Sequence, residues 1–376
     1  EFHDVTGEPP EEADVFLHVV PNKTTRLISR LRELARIVRQ DRALAAAFAS
    51  RRYEILDEPG RRGRPAVRRF NSRFRSMMKE YGFRTGYGFG SNVDFESTTW
   101  HMEPRKPLDL IGSYAEQDVD ELKLMEKRAL QARQRATRRM RRRLAGDPAR
   151  LQRFEMNRRR AQADVGIMED HNHQMEQSTV GQMRDAMHEM GVALVKEGLL
   201  DGPSDALHFS LDELRRVAAG DGLRNDMRSL ARQRSEERDR LARLDPAPTL
   251  GKPPEDSPQD AEAPDPAGDG PHLRGRTASR GRATGPARIV HSSANAPRFH
   301  KGDILVAVNV GPDWTPFFPL LGGIVLDDGE IYQHPAIVAR EFRIPAVFQT
   351  RRATSAIREG QTITVDGDAG LVDLLV

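Results

Sequence analysis

The sequence predicts a multidomain α and α/β protein: an all-helical block followed by a small β/α domain. Three observations carry that prediction. Residues 12–243 place their apolar side chains at helical spacing, with few alternating stretches. A proline-rich, acidic segment at 245–274 then offers almost nothing to bury, as an extended linker does. From Gly275 onward, short β-branched runs alternate with turns. The expected boundaries are therefore 1–244, 245–274 and 275–376, and 376 residues suffice for two cores.

The elements follow in chain order. Residues 25–48 carry Leu27, Ile28, Leu31, Leu34, Ala35 and Val38 on one buried stripe, and Asn22, Lys23 and Thr24 after Pro21 supply a cap. A second helix is expected over 66–81, ending in a glycine-rich loop at 82–90. Another begins at 108–114. Residues 117–164 are rich in arginine and interrupted near 146–148. Residues 168–199 read as one long helix closed by 198–203, and 210–219 as a short one with the Ser210/Glu213 capping-box pattern. In the linker, Glu255, Asp256, Asp260, Glu262, Asp265 and Asp269 are uninterrupted by Lys or Arg. Beyond it, 287–290, 304–310, 323–326, 346–348 and 361–365 read as strands, and 335–341 as a helix with Pro335 at its first position.

Composition narrows the function classes. Cysteine is absent, which removes disulfides, thiol nucleophiles and cysteine metal sites and fits a cytoplasmic protein. No run approaches roughly eighteen apolar residues, so no membrane span is expected. The opening EFHDVTGEPP lacks the stretches of a signal peptide, and the start at Glu1 rather than Met fits a processed chain or the later part of a longer one. Against 56 acidic residues, 59 basic ones leave a net charge of only +3, so overall charge announces no nucleic-acid partner. Arg138, Arg139, Arg141, Arg142 and Arg143 lack interleaved aromatics and read as a solvated helix or a docking face for an acidic partner.

The chemistry concentrates around His334. A strand runs into an acidic turn at Asp327, Asp328 and Gly329, and His334 then opens a helix. A histidine at a helix N-terminus faces backbone N–H groups and the positive end of the dipole, which suit an anion and keep the ring neutral and nucleophilic. The same pattern also fits a histidine that merely caps a turn.

Gly329, His334, Ala336, Ile337, Val338, Ala339, Arg340, Glu341, Ile344, Pro345, Ala346 and Val347 carry a resemblance to the phosphohistidine, or swivelling, domain of phosphoenolpyruvate-utilising enzymes. The flanks agree: ASRGRATG upstream, then KGDILVA and PDWTP, and Gly360, Gln361, Asp366, Gly367 and Gly370 downstream. The resemblance implies that His334 accepts a phosphoryl group, with Arg340 and Glu341 in support. Four residues depart from the pattern: Glu330 for a glycine, Gln333 for a hydroxyl residue, Pro335 for an alanine and Arg343 for a glycine.

Upstream, Tyr81, Gly82, Phe83, Arg84, Asp94 and Trp100, with the stretch from Met168 to Leu214, resemble the helical substrate-binding region of rifampicin-phosphotransferase-like and phenylphosphate-synthase-like proteins. This implies an acceptor site drawn from Arg84, Glu169, Asp170, His171 and His173, in which His171 and Glu169 orient or deprotonate a substrate hydroxyl. The residues alone also fit a buried polar network between helices. His171 and His173 lie two apart and face different sides of a helix, so no metal site is expected. The resemblance further implies ATP with Mg2+ as phosphoryl source, held on an ATP-grasp domain or subunit for which this chain has no room. Phosphorylation of a small-molecule hydroxyl, possible onward dehydration, and a non-catalytic phosphocarrier or regulatory partner-binding role all stay open.

Overall fold

Asn22 starts the first long helix, α2 (Lys23–Gln40), after the short α1 (Phe2–Thr6) and a 3-10 turn at Pro10–Phe16. Its side chain accepts from Thr25 N at 2.8 Å while Thr25 Oγ1 accepts from Asn22 N at 2.9 Å, a reciprocal cap. The expected single helix over 25–48 breaks at Asp41. That carboxylate accepts from Ala43 N and Leu44 N, both at 3.0 Å, and so opens α3 (Arg42–Ala49) in a new direction. The computed structural model describes residues 2–17, 20–58, 64–84, 98–117, 119–220, 222–241, 244, 272–290 and 298–375. Most of the expected 82–90 loop and residues 245–271 of the expected linker lie outside these.

Next come α4 (Pro65–Tyr81), α5 (Arg105–Glu116), α6 (Val119–Arg143) and α7 (Pro148–His171). The N-terminal turns pack on α6 and α7 through Phe16 and Phe154, whose rings meet edge-on at 5.3 Å. The arginine-rich stretch is partly consumed in ion pairs. Arg143 and Arg139 reach Glu8 at 2.8 and 3.2 Å, and Arg141 reaches Glu155 at 2.6 Å, holding the Glu155 carboxyl down to about 2. The expected helix over 168–199 is not one regular helix. It begins inside α7, widens to a π-helical segment at Asn172–Gln177, and resumes as α8 (Ser178–Lys196).

The described residues fall into two compact units: Glu1–Ser178 with Pro264–Val376, and Thr179–Ala263. The second unit contains most of α8, with α9 (Leu211–Ala218) and α10 (Leu223–Leu241), and buries Leu200, Phe209, Leu214, Val217 and Met227. Ser210 and Glu213 form the expected capping box, and Arg234 grips the Glu213 carboxylate at 2.6 and 2.8 Å.

In the first unit the β/α region is an eight-stranded sheet, where five strands are expected from sequence. The strands are β1 (His272–Arg274), β2 (Arg276–Ser279), β3 (Arg282–Val290), β4 (Ile304–Ala307), β5 (Gly323–Leu326), β6 (Ala346–Phe348), β7 (Thr362–Asp366) and β8 (Leu371–Leu374), in the order β1-β8-β7-β3-β4-β5-β6-β2. Of the extra strands, β1 and β2 are short, mostly polar edge segments, and β8 is only four residues long beside the β1 edge, so none carries a long strand signature. β3 divides its partners: 282–286 pair antiparallel with β7 and 287–290 pair parallel with β4. Alternation then sends Leu305 and Ala307 to one face and Ile304 and Val306 to the other, giving two cores. Helices α11 (His334–Phe342) and α12 (Ala353–Ala356) complete the region.

One core is shared with the helices. Leu108, Ile111 and Tyr114 of α5 belong to the same buried cluster as Phe299, Trp314, Phe317 and Phe318. Polar contacts fix the register: Tyr114 OH donates to Pro316 O at 2.6 Å, and Arg298 pairs with Glu116 at 2.9 Å. No helix among the described residues is long and apolar enough to cross a membrane.

Two substitutions test this packing. A Cβ on Gly285 would lie 2.1 Å from Gly302 O, a backbone atom that cannot swing away. Gly285→Ala is expected to lower unfolding stability by about 1–3 kcal/mol in urea titration. Tyr114→Phe leaves the buried Pro316 carbonyl without its donor and is expected to cost about 1–3 kcal/mol.

Candidate functional site

His334 is the first residue of α11, preceded by Gln333 in extended conformation as the cap, so Pro335 occupies the second helical position rather than the first. The imidazole is half-buried, and its Nε2 lies 2.8 Å from Thr315 Oγ1. The Thr315 hydroxyl spends its one proton on Pro312 O at 2.8 Å. Its oxygen therefore accepts from the ring, which makes Nε2 the protonated nitrogen and Nδ1 the one with the lone pair. Thr315 is 2 % exposed and sits in a 3-10 segment, Pro312–Leu320, between the buried rings of Trp314 and Phe317.

The helix N-terminus offers less to an anion than the sequence suggests. Pro335 has no N–H, and the N–H groups of Ala336 and Ile337 both donate to Gln333 O at 3.1 Å. The ring's orientation thus rests on Thr315. Arg340 holds the preceding loop: Nη1 donates to Ile331 O at 2.8 Å and to Ala278 O at 2.9 Å, tying β2 to the approach to His334. Glu341 lies near the other end of the helix and lines a cavity facing α2. The departures at Glu330 and Gln333 engage each other's turn. Gln333 Oε1 accepts from Glu330 N at 3.1 Å, and the Glu330 carboxylate takes Gln349 Nε2 at 2.8 Å, which draws both away from a phosphoryl-binding role.

A second polar group is built by α2, α4 and the π-helical segment. Asp170 Oδ1 accepts from Lys23 N, the first turn of α2, at 2.7 Å. Lys23 Nζ meets Glu80 at 2.8 Å, and Tyr81 OH donates to Lys23 O at 3.0 Å. His173 is 6 % exposed with its ring 4.9 Å from that of Tyr81. Burial, and then the nearby Arg84 and Lys23 cations, push its pKa down to about 4, so it is neutral at physiological pH. Arg84 is buried with its guanidinium over the Trp100 ring at 5.8 Å. His173 Nδ1 and both amide atoms of buried Gln177 meet no hydrogen-bond partner among the described residues. Buried polar atoms left so are costly unless water or a ligand completes them.

Of the five expected acceptor residues, the structure thus gathers Arg84, Asp170 and His173. His171 is exposed on the other side of its turn, and the Glu169 side chain lies outside the described residues. Thr315 and Gln177 are additions. Gln177 lies one turn beyond His173, a spacing visible in the sequence, whereas nothing local links Thr315 to His334. No group of three or more His, Asp or Glu side chains converges as a metal-ligand set among the described residues.

Comparison with known proteins places these features. Residues 299–370 match the mobile domain of PEP-utilising enzymes, and residues 3–167 match the rifampicin phosphotransferase fourth domain. Chondramide synthase of Chondromyces crocatus is 29% identical over 98% of this chain and 10% of its own length. An uncharacterised phosphotransferase of Bacillus subtilis is 43% identical over 28% of this chain and 12% of its own. Rifampicin phosphotransferase of Streptomyces sviceus is 39% identical over 27% of this chain and 12% of its own. The chain spans about a tenth of the length of these curated relatives. A match to the rifampicin phosphotransferase fourth domain thus precedes a mobile-domain match that contains His334, and over these two stretches the chain resembles phosphoenolpyruvate-utilising enzymes.

Proposed function

We propose that this chain is the phosphoryl-carrying and acceptor-binding part of a phosphotransferase. The observation that carries the reading is the imidazole of His334, held by Thr315 at the mouth of α11 inside a mobile-domain match. A lone pair of the His334 ring attacks phosphorus of the donor; the N–P bond forms while the P–O bond to the leaving group breaks. The acceptor hydroxyl oxygen then attacks phosphorus and releases its proton to solvent, the N–P bond breaks, and the ring recovers its electron pair. Transfer through Nε2 requires that this nitrogen first lose its proton and leave Thr315.

The donor in this reading is ATP with Mg2+, bound by an ATP-grasp domain or separate subunit outside this chain, in the cytoplasm. The functional division is a helical acceptor-binding part at 1–244, a tether at 245–271 and a swivelling phosphohistidine part at 272–376, three residues earlier than the sequence boundary because His272–Arg274 form β1 of the sheet. The acceptor is a small hydroxyl compound held by Arg84, Asp170 and His173, with Glu169 and His171 on the same turn. The orphaned atoms of His173 and Gln177 support this placement, because a ligand hydroxyl satisfies them. With a pKa of about 4, His173 orients the hydroxyl by hydrogen bonding and is too weak a base to remove its proton outright.

Incubation with ATP radiolabelled at the β- or γ-phosphate, with and without an ATP-grasp partner, tests the first step. Acid-labile, base-stable label is expected on the wild type and absent from His334→Ala; no label with any partner would refute the proposal. His173 supplies an independent test in stability. Its pKa is about 4 when folded and 6.5 when not, so the unfolded chain binds more protons between those values. The corresponding stability is present above about pH 6.5 and is lost as pH falls to about 4. Urea titrations should show wild type losing on the order of 2 kcal/mol more than His173→Gln across that window. Equal slopes would show that His173 is not buried neutral.

A further inference from the structure

A cavity of about 250 Å³ lies between α2, α6 and the mobile-domain region, at the end of α11 away from His334. Eight residues of helix separate the two ends, about 12 Å, so the cavity is not the histidine's own pocket. Its walls are mainly apolar, with Ile28 from α2, Phe318 from the Pro312–Leu320 segment and Leu321 just after it, Phe342 at the end of α11 and Ile344 beyond. Arg32, Arg128 and Arg343 line it as well, with Glu341 as the one acidic residue of the lining. An apolar chamber with a few convergent charges at the junction of two regions has the build of a small-molecule site.

Arg343 supplies a second observation. It caps α11 in the left-handed region, φ 56°, where glycine is at no disadvantage and a long side chain is. The chain keeps an arginine where the backbone favours glycine, and that arginine lines the cavity. Strain of this kind persists where the side chain has a use.

We propose that this cavity binds a small amphipathic acid, its apolar body against Ile28, Phe318 and Phe342 and its carboxylate on the arginines. The occupant touches α2 and α6 on one side and the mobile-domain region on the other. It therefore binds the docked arrangement better than a separated one and holds the region carrying His334 in place. The site is independent of the phosphoryl chemistry and of the polar group around His173.

Calorimetric titration of the full chain with octanoate, and with octanol as the uncharged counterpart, tests the proposal. Octanoate should bind saturably and more tightly than octanol. Arg343→Gly should raise the thermal midpoint of the ligand-free protein by relieving the backbone, yet weaken octanoate about tenfold, the usual scale of one charge-assisted contact. Arg128→Ala, at an exposed position, should weaken it without a loss of fold, and Ile28→Trp should abolish it by filling the chamber. Absence of saturable binding at millimolar octanoate overturns the assignment. Binding unchanged in both Arg128→Ala and Arg343→Gly overturns it equally.

Discussion

The buried 3-10 segment Pro312–Leu320 is the constraint on which the remaining geometry depends, because it serves two surfaces at once. Toward α11 it presents the Thr315 hydroxyl, which sets the orientation and the protonated nitrogen of His334. Toward α5 it presents the Pro316 carbonyl, which Tyr114 meets from 202 residues away in sequence. Trp314 and Phe318, both fully buried, leave the segment no room to shift. The histidine's geometry and the docking of the mobile-domain region are thereby coupled through one short piece of chain. Movement of the region off α5 removes the support under Thr315.

Polar groups are treated in two different ways. Buried Asp327 at the end of β5 is fully satisfied: it accepts from Thr350 Oγ1 at 3.0 Å, from the N–H groups of Ala353 and Thr354, and from the Thr354 hydroxyl. The surface arginines of α6 meet Glu8 and Glu155 in exposed pairs of small energetic consequence. Against that background, His173 and Gln177 stand out. A fold that supplies several donors to one buried carboxylate leaves three buried polar atoms without a partner among the described residues beside a π-helical turn, a distortion that recurs at binding sites.

Much of this was readable in the chain. The helical block, the cap at Asn22, the capping box at Ser210, the strands β4 to β7 and His334 all follow from local chemistry: side-chain spacing, cap residues and a motif. Local chemistry also misled where two local preferences competed. Asp41 sits on an otherwise continuous apolar stripe, and its carboxylate captures two N–H groups that a continuous helix would use otherwise. Gln333 and Pro335 read as substitutions at a phosphate-binding helix end; in space Pro335 removes one N–H from that end, and the Gln333 side chain is turned to Glu330 N in the preceding turn.

The sequence by itself determined most of the helices, five of the eight strands and that His334 opens a helix, because spacing and capping act over a few residues. Only the tertiary structure decided that Thr315 orients His334, that Arg84, Asp170 and His173 meet while His171 faces outward, and that three arginines converge on one cavity. Those contacts join segments tens to hundreds of residues apart. Their formation depends on which faces the shared core buries, and no local pattern encodes that choice.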